Sequence, residues 1–497
     1  MNYSEKLKKL KNNINFKKLS IFFIISIVFF GVLVNMEYAT DTYTVFSSSA
    51  KTNVLHFLGS GRFVTAFATL MIRILNLGEY AIYLLSFILS ILSLTFSLYE
   101  MEQIIHKDIK SDKISIILST LIILNVFIIE LFMFIEKGIL ILSILLSVLA
   151  LKYFIKYLET KRKKNIALVL VLMFLANGCY QGTVGIFIAL VTVYILKNSK
   201  NFKEFFINNV IAVICYAIPA FIDLVIGKIF AGSRISGNID LLQTIEKITN
   251  GTKNMVFTYN LIPKYMYFTL VVLTVVTLIY KIITKKDTIK EKVLNILGMG
   301  YISIVVIMAA VLPQAIQNTE AIWMVARSTY TFASLIGILL LYLFINFNMN
   351  NDRTFNLQNI IIIISLIFLV TEYYNFTKIE ISRYKLNNID KEVTLQIIKE
   401  INRYEKETGE TISKIAIYQD KEMRYTYNDI FVTGDMNVKA YSSDWATKSI
   451  LQYYLHRELE NASKNDELEL KFKQHNWDEF NNEQLIFKDD TLHICCY

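Results

Sequence analysis

The sequence lacks the short motifs that mark several common enzyme classes. It has no Walker loop of the kind that cradles ATP phosphates and no Gly-x-Ser-x-Gly elbow, so it does not indicate an ATPase or a hydrolase of that type. Cysteine is scarce, and its four positions, Cys179, Cys215, Cys495 and Cys496, have neither zinc-site spacing nor the pattern of a disulfide framework.

Charged residues are nearly absent from long stretches of the chain. The 497 residues are 54% hydrophobic, and the apolar residues form runs of about 18 or more, the length that crosses a ~30 Å hydrocarbon core as a helix. This pattern excludes a soluble fold for about the first 375 residues. The net charge of +9 comes from Lys and Arg in short loops, which is typical of residues that orient a membrane protein and not of a nucleic-acid surface.

The apolar runs predict an all-α polytopic protein with about eleven membrane-spanning helices. The first apolar run, 21–34, follows a basic N-terminal stretch without a small-x-small cleavage site, so we interpret it as a retained span and not as a signal peptide. The predicted spans are 18–36, 80–99, 114–132, 138–156, 165–179, 183–197, 206–229, 265–283, 292–312, 327–347 and 357–374.

The loop charges predict the orientation of these spans. With the N-terminus in the cytoplasm, four loops on that side carry clusters of Lys or Arg, at 107–113, 152–164, 197–203 and 281–292, while the outer loops 37–79, 230–264 and 313–326 are longer and less basic. The spans would form a transmembrane domain, 1–377. The polar segment 378–497 would then be a small extracytoplasmic α/β domain, with a strand-like run at Lys414 to Tyr418 and a helical stretch from Trp445 to Leu459.

Several ionisable and aromatic residues cluster at the predicted outer ends of the spans. An isolated outer carboxylate is usually only solvated, an Arg at a span end is commonly a headgroup anchor, and a Trp there is commonly an interfacial residue. Here, however, both signs of charge gather at one level, where ionisable residues often mark a functional site. They are Glu37, Asp41, Arg62, Tyr180, Gln181, Arg234, Glu320, Trp323 and Arg327.

These residue types suit group transfer from a lipid phosphate. Asp41 could accept the proton of an attacking hydroxyl as a general base. Arg62 or Arg327 could hold a phosphate through the planar fork of the guanidinium. His56 has no partner histidine nearby in the sequence, so we interpret it as structural.

Five short motifs occur in order along nearly the whole chain: Asp41-Thr42-Tyr43, Gly61-Arg62, the turn Tyr180-Gln181 after Asn177-Gly178, the later loop with Pro313, Glu320, Trp323 and Arg327, and Asp444-Trp445. Together they resemble the membrane glucosyltransferases of serotype-converting phages, the Gtr type II family, whose architecture is similar to that of GT-C glycosyltransferases. The family often has paired acids in the first loop. Glu37 would supply the second carboxylate if that loop begins as a helix.

The resemblance implies transfer of a sugar, expected to be glucose, from a polyprenyl phosphate to a cell-surface glycan at the outer face of the plasma membrane. Asp41, with Glu37, would be catalytic, and Arg62, Arg327 and Arg234 would bind the donor phosphate. Tyr43, Tyr180, Gln181, Glu320 and Trp323 would contact substrate. Inversion is expected, with no metal and no cofactor. The expected partners are the donor, the acceptor glycan, membrane lipid, a flippase and a polyprenyl-phosphate-sugar synthase, and no nucleic acid.

Two other functions fit part of the pattern. A cell-envelope polysaccharide polymerase or ligase also has many spans and arginines that hold lipid phosphates, although it is typically marked by a large outer loop between late spans. A lipid-linked glycan transporter would carry ionisable residues near the bilayer midplane, for which Asp223 and Lys228 in the seventh predicted span are the only indication.

Overall fold

Long apolar helices dominate the structure. It is a computed structural model that describes residues 15–230, 240–258, 261–284, 288–347, 357–422, 426–434, 436–477 and 479–496. Within those residues, nine helices are long and apolar enough to cross a membrane, as expected of a polytopic helical protein. They are Phe16–Val34, Glu79–Ile109, Lys137–Thr160, Gln181–Asn198, Phe202–Ile229, Lys264–Thr284, Glu291–Ala315, Ala326–Asn346 and Leu357–Thr408.

The other two predicted spans are not among these nine helices. The segment predicted at 165–179 is a helix of 17 residues, Lys163–Cys179. The segment predicted at 114–132 is interrupted, and its two helices are Asp112–Ile123 and Ile128–Phe132. The prediction of one continuous helix over 114–132 is therefore wrong.

The interruption occurs where neighbouring side chains bind the released backbone groups. The Val126 amide donates to Glu372 Oε1 (3.3 Å), and the Phe127 amide donates to Asn125 Oδ1 (3.1 Å). At the end of helix Asp112–Ile123, the Ile123 carbonyl accepts a hydrogen bond from the Tyr330 hydroxyl (2.6 Å). Irregular backbone away from water is tolerated only where protein surrounds it and binds its polar groups, and residues 121–132 are all buried.

A buried ion-pair network joins the start of the first long helix to its neighbours. Lys18 Nζ lies 2.7 Å from Glu102 Oε1 and 2.7 Å from Asp112 Oδ1. Glu102 is fully buried and also accepts a hydrogen bond from the Ser115 hydroxyl (2.7 Å). The network therefore connects three helices, Phe16–Phe30, Glu79–Ile109 and Asp112–Ile123.

The chain divides into two compact units. The first contains residues 1–34, 54–132 and 136–376, and the second contains 35–53, 133–135 and 377–497. Helix Leu357–Thr408 contributes residues to both. The remaining α-helices are Thr40–Ser47, Ala50–Gly59, Phe63–Ile74, Leu241–Lys253, Asp444–Leu455 and Asp466–Phe472.

The second unit contains a four-stranded sheet. The strands are β1 (Lys414–Gln419), β2 (Glu460–Asn461), β3 (Leu485–Lys488) and β4 (Thr491–Cys496), arranged in the order β2-β1-β4-β3. β1 is parallel to β2 and β4, and β3 is antiparallel to β4. β1 begins at the predicted position, and helix Asp444–Leu455 covers most of the predicted helical stretch, so both predictions are confirmed.

Candidate functional site

A cavity of about 240 Å³ lies in the first unit, where several helices end. Its apolar wall comes from helices Phe202–Ile229 and Ile289–Ala315. Its polar groups come from the segments around residues 60, 180 and 317 and from Asp223 on helix Phe202–Ile229. The polar and charged lining residues are Ser60, Arg62, Asn177, Gln181, Asp223 and Gln317. The larger apolar and aromatic lining residues are Tyr216, Phe221, Leu224, Leu312, Pro313 and Ile316.

Arg62 supplies positive charge to this cavity. It immediately precedes helix Phe63–Ile74, and its guanidinium carbon lies 4.8 Å from the centre of the Tyr180 ring. Its nearest carboxylate contact is with Glu136, where Nη1 and Oε1 are 3.9 Å apart. Its buried Nε has no hydrogen-bond acceptor among the described residues. The Tyr180 ring thus supports one face of a largely buried cation, and part of its donor capacity remains unused.

Asp223 faces the same cavity and is only 4% exposed. Its Oδ2 accepts a hydrogen bond from Gln181 Nε2 at 2.6 Å, and Gln181 Nε2 also lies 3.0 Å from the Ser60 carbonyl oxygen. Gln181 begins the tight turn Gln181–Thr183, which follows helix Lys163–Cys179. Its side chain therefore joins this turn to both the Ser60 segment and helix Phe202–Ile229.

Gly61 allows this close approach. Its φ of +75° is in the left-handed region, and a Cβ at this position would lie 2.6 Å from Asp223 Oδ2. A residue with a side chain would be strained and would displace the carboxylate. The backbone just before Arg62 thus packs directly against Asp223.

Arg327 lies beside the tight turn but is engaged by a carboxylate. A Cβ on Gly182 would lie 2.6 Å from the Arg327 carbonyl oxygen, so the turn and the segment at Arg327 touch. The Arg327 guanidinium forms an ion pair with the buried side chain of Glu130, and its amide donates to Glu130 Oε2 at 2.7 Å. The structure therefore brings Arg62, Tyr180, Gln181 and Arg327 into one region, but Arg327 is not among the residues that line the cavity.

Glu320 and Trp323 follow helix Ile289–Ala315 and are both exposed. The Glu320 amide donates to Asn318 Oδ1 (3.3 Å), and the Trp323 amide donates to Gln314 Oε1 (3.2 Å). Neither lines the cavity. Their predicted role in substrate contact stays a prediction.

The predicted catalytic acids belong to the second unit. Asp41 is exposed in the first turn of helix Thr40–Ser47, whereas Glu37 is buried in the non-helical segment that precedes it. Glu37 and Asp41 therefore do not lie one turn apart on the same helix, as their pairing would require. Glu37 interacts electrostatically with another buried carboxylate, Glu380.

Tyr43 is a core residue of the second unit. Its ring centre lies 5.4 Å from that of Tyr38 and 5.5 Å from that of Tyr453. Burial raises the pKa of the Tyr43 hydroxyl well above its usual value, which keeps the group neutral. A packing role accounts for this environment.

Asp223 and Gln317 are the main cavity residues that the sequence prediction of the site did not include. Asp223 had a detectable signal, since an ionisable residue inside an apolar helix is costly and rare. Gln317 had none, because it follows a helix end among other polar residues. Arg234, predicted to bind phosphate, lies outside the described residues.

One group of side chains in the described ranges has the geometry of a metal site. Glu102, His106 and Asp112 bring their ligand atoms within 4.8 Å of one another. Lys18 Nζ lies 2.7 Å from carboxylate oxygens of Glu102 and Asp112. Because its ammonium group already supplies a positive charge to both acids, we interpret this group as an ion-pair network.

No protein-family model matches the chain, and no curated protein matches it.

Proposed function

We propose that the protein is a glycosyltransferase that takes a sugar, expected to be glucose, from a polyprenyl-phosphate donor and transfers it to a cell-surface glycan. The observation that carries this proposal is the position of Arg62. A largely buried guanidinium lines an amphiphilic cavity and has donor capacity that the described residues do not use. Phosphate oxygens are strong acceptors that match the planar fork of arginine.

The wall of the cavity supports a lipid-linked donor. Phe221 is 64% exposed and Ile316 is 39% exposed, although both line the cavity. The apolar side of the cavity is therefore continuous with the outer surface of helices Phe202–Ile229 and Ile289–Ala315. In a bilayer such a surface contacts acyl chains, so a polyprenyl chain could remain in the lipid while its phosphate reaches Arg62.

The reaction follows from the family resemblance and the chemistry of the donor. Asp41 takes the proton of an acceptor hydroxyl, whose oxygen attacks the anomeric carbon. The bond from that carbon to the phosphate oxygen breaks, and polyprenyl phosphate leaves with the bonding electrons, so the anomeric configuration inverts. Arg62 stabilises the charge of the leaving group. A partner synthase would supply the donor on the cytoplasmic side, and a flippase would move it across.

A transporter of lipid-linked glycans is the second candidate. The observation that favours it is Asp223, a buried carboxylate on an apolar helix that faces a cavity. A transporter would move the sugar-bearing lipid without breaking the bond to phosphate. Release of free polyprenyl phosphate, measured with purified protein, acceptor glycan and labelled donor, separates the two functions.

The proposal is tested through the binding of polyprenyl phosphate to protein in nanodiscs. We expect Arg62→Ala to weaken binding about 10-fold to 100-fold, because a hydrogen bond to a charged group contributes about 1.5–3 kcal/mol. Arg62→Lys should retain part of the affinity, since it keeps the charge but loses the fork.

Arg73→Ala is the matched control. Arg73 is exposed in the last turn of the helix that Arg62 precedes, so its loss should leave binding unchanged. Wild-type affinity in Arg62→Ala, or an equal loss in Arg73→Ala, would contradict the phosphate role of Arg62.

A further inference from the structure

Two acceptor oxygens in the cavity have no donor among the described residues. Asp223 uses Oδ2 to accept from Gln181, while its buried Oδ1 receives no hydrogen bond. Gln317 donates through Nε2 to the Pro313 carbonyl at 2.9 Å, and its buried Oε1 likewise receives none. Buried acceptors are costly to leave unpaired, so both oxygens favour a ligand that carries hydrogen-bond donors.

Arg62 does not donate a hydrogen bond to either of these oxygens. It interacts electrostatically with Asp223, but its closest carboxylate contact is with Glu136. The cavity thus presents a cation with an unused donor beside two unused acceptors. A bare phosphate would match Arg62 but would be repelled by the Asp223 carboxylate, and a purely apolar ligand would leave all three groups unpaired.

Gly61 keeps Arg62 and Asp223 next to one another. It lies directly against the Asp223 carboxylate and is the residue before Arg62. A ligand that reaches both side chains must therefore carry its anionic group and its hydroxyl groups close together. A sugar attached to phosphate through its anomeric carbon has this arrangement.

We propose that Asp223 and Gln317 bind the hydroxyl groups of a single sugar ring whose phosphate is held by Arg62. The proposal rests on the proposed function and specifies which part of the donor occupies the cavity. The volume of about 240 Å³ is below the ~300–1,000 Å³ of pockets that hold drug-sized ligands, which favours one ring over an oligosaccharide. The polyprenyl chain would follow the exposed side of Phe221 and Ile316.

The test compares two lipids, bare polyprenyl phosphate and polyprenyl-phosphate glucose, in binding to protein in nanodiscs. We expect the wild type to bind the glucosyl lipid at least about 10-fold more tightly, the scale of one hydrogen bond to a charged group. Asp223→Ala should abolish this preference by weakening the binding of the glucosyl lipid, while the bare lipid, which the carboxylate no longer repels, should bind at least as tightly as to the wild type. Gln317→Ala should reduce the preference in part, because its amide is neutral.

Two further variants keep the result interpretable. Asp223→Asn preserves the shape of the side chain but replaces the charged acceptor with a neutral amide oxygen, so it should reduce the preference in part and can be measured if Asp223→Ala does not fold. Asp108→Asn is the matched control, because Asp108 forms an ion pair with Lys197 and is not among the residues that line the cavity. It should keep the wild-type preference.

The outcomes separate this inference from the proposed function. A wild type that binds neither lipid overturns both. A wild type that binds the two lipids equally, or an Asp223→Asn variant that keeps the full preference for the glucosyl lipid, overturns the sugar site while leaving the phosphate site at Arg62 intact.

Discussion

Single residues of the same type occupy different environments in this protein. Arg62 and Arg327 were predicted to act alike, yet Arg327 forms an ion pair with buried Glu130 while Arg62 lines the cavity with an unpaired Nε. The carboxylates differ in the same way, since Asp41 is exposed and Glu37 is buried. Accessibility therefore makes Asp41 the better candidate for a general base.

Replacing Asp41 tests that role. Asp41→Asn keeps the side-chain shape but removes the proton acceptor, so we expect turnover with polyprenyl-phosphate glucose and acceptor glycan to fall by about 10²-fold or more. Expression and donor binding should be normal, because an exposed side chain contributes little to folding. Near-normal turnover would make Asp41 a solvated loop residue.

Replacing Glu37 separates the two acids. Its carboxylate is buried and interacts with Glu380, so Glu37→Gln removes a repulsion between acids and should retain most of the turnover. Steady-state rates measured beside Asp41→Asn decide the assignment. A loss in Glu37→Gln as deep as that in Asp41→Asn would mean that the two residues act together or that Glu37 is the base.

At the scale of elements, polar side chains determine where helices end and join. The interruption at residues 124–127 is supported by Asn125, Glu372 and Tyr330, which bind the released backbone groups. The result is a short helix, Ile128–Phe132, that carries Glu130 to Arg327. A continuous helix would have placed Glu130 elsewhere.

The Lys18 network gives a stability prediction. Glu102→Gln leaves the buried Lys18 ammonium with only the more exposed Asp112 as a charged partner, so we expect a loss of about 3 kcal/mol, the lower end for a broken buried pair. The measurement is the denaturant midpoint of the purified protein. Adding Lys18→Met should recover part of the loss, because the charge that remains, Asp112, is exposed and no buried charge is left unpaired.

Glu100→Gln provides the control on the same helix. Glu100 pairs with Lys152 at 2.6 Å, but both side chains are partly exposed, so the loss should be at most about 1 kcal/mol. Equal losses in Glu100→Gln and Glu102→Gln would show that burial of the Lys18 network contributes no additional stability.

At the scale of the whole molecule, the predicted orientation can be tested by cysteine labelling. The four native cysteines are buried, so a membrane-impermeant maleimide should react with them slowly. Lys51 and Lys163 are exposed and lie in loops predicted on opposite sides. In intact cells we expect Lys51→Cys to be labelled and Lys163→Cys to be labelled only after permeabilisation. The opposite pattern would reverse the predicted topology.

The sequence by itself determined that the protein is built from long apolar helices. A chain in hydrocarbon must satisfy its backbone internally, so runs of apolar residues without charge leave few alternatives to helix. Nine such helices in the described residues agree with this expectation. Local pattern was also sufficient for strand β1 and for helix Asp444–Leu455.

Only the tertiary structure decided which polar groups share a cavity. Arg62 and Gln181 were predicted site residues, but Asp223 joins them because helix Phe202–Ile229 packs beside the Gly61 backbone, a contact between positions distant in sequence. The pairing of Arg327 with Glu130 likewise depends on the helix interruption. Periodicity reports which face of a segment is apolar, whereas the partners of a buried charge depend on how separate segments pack.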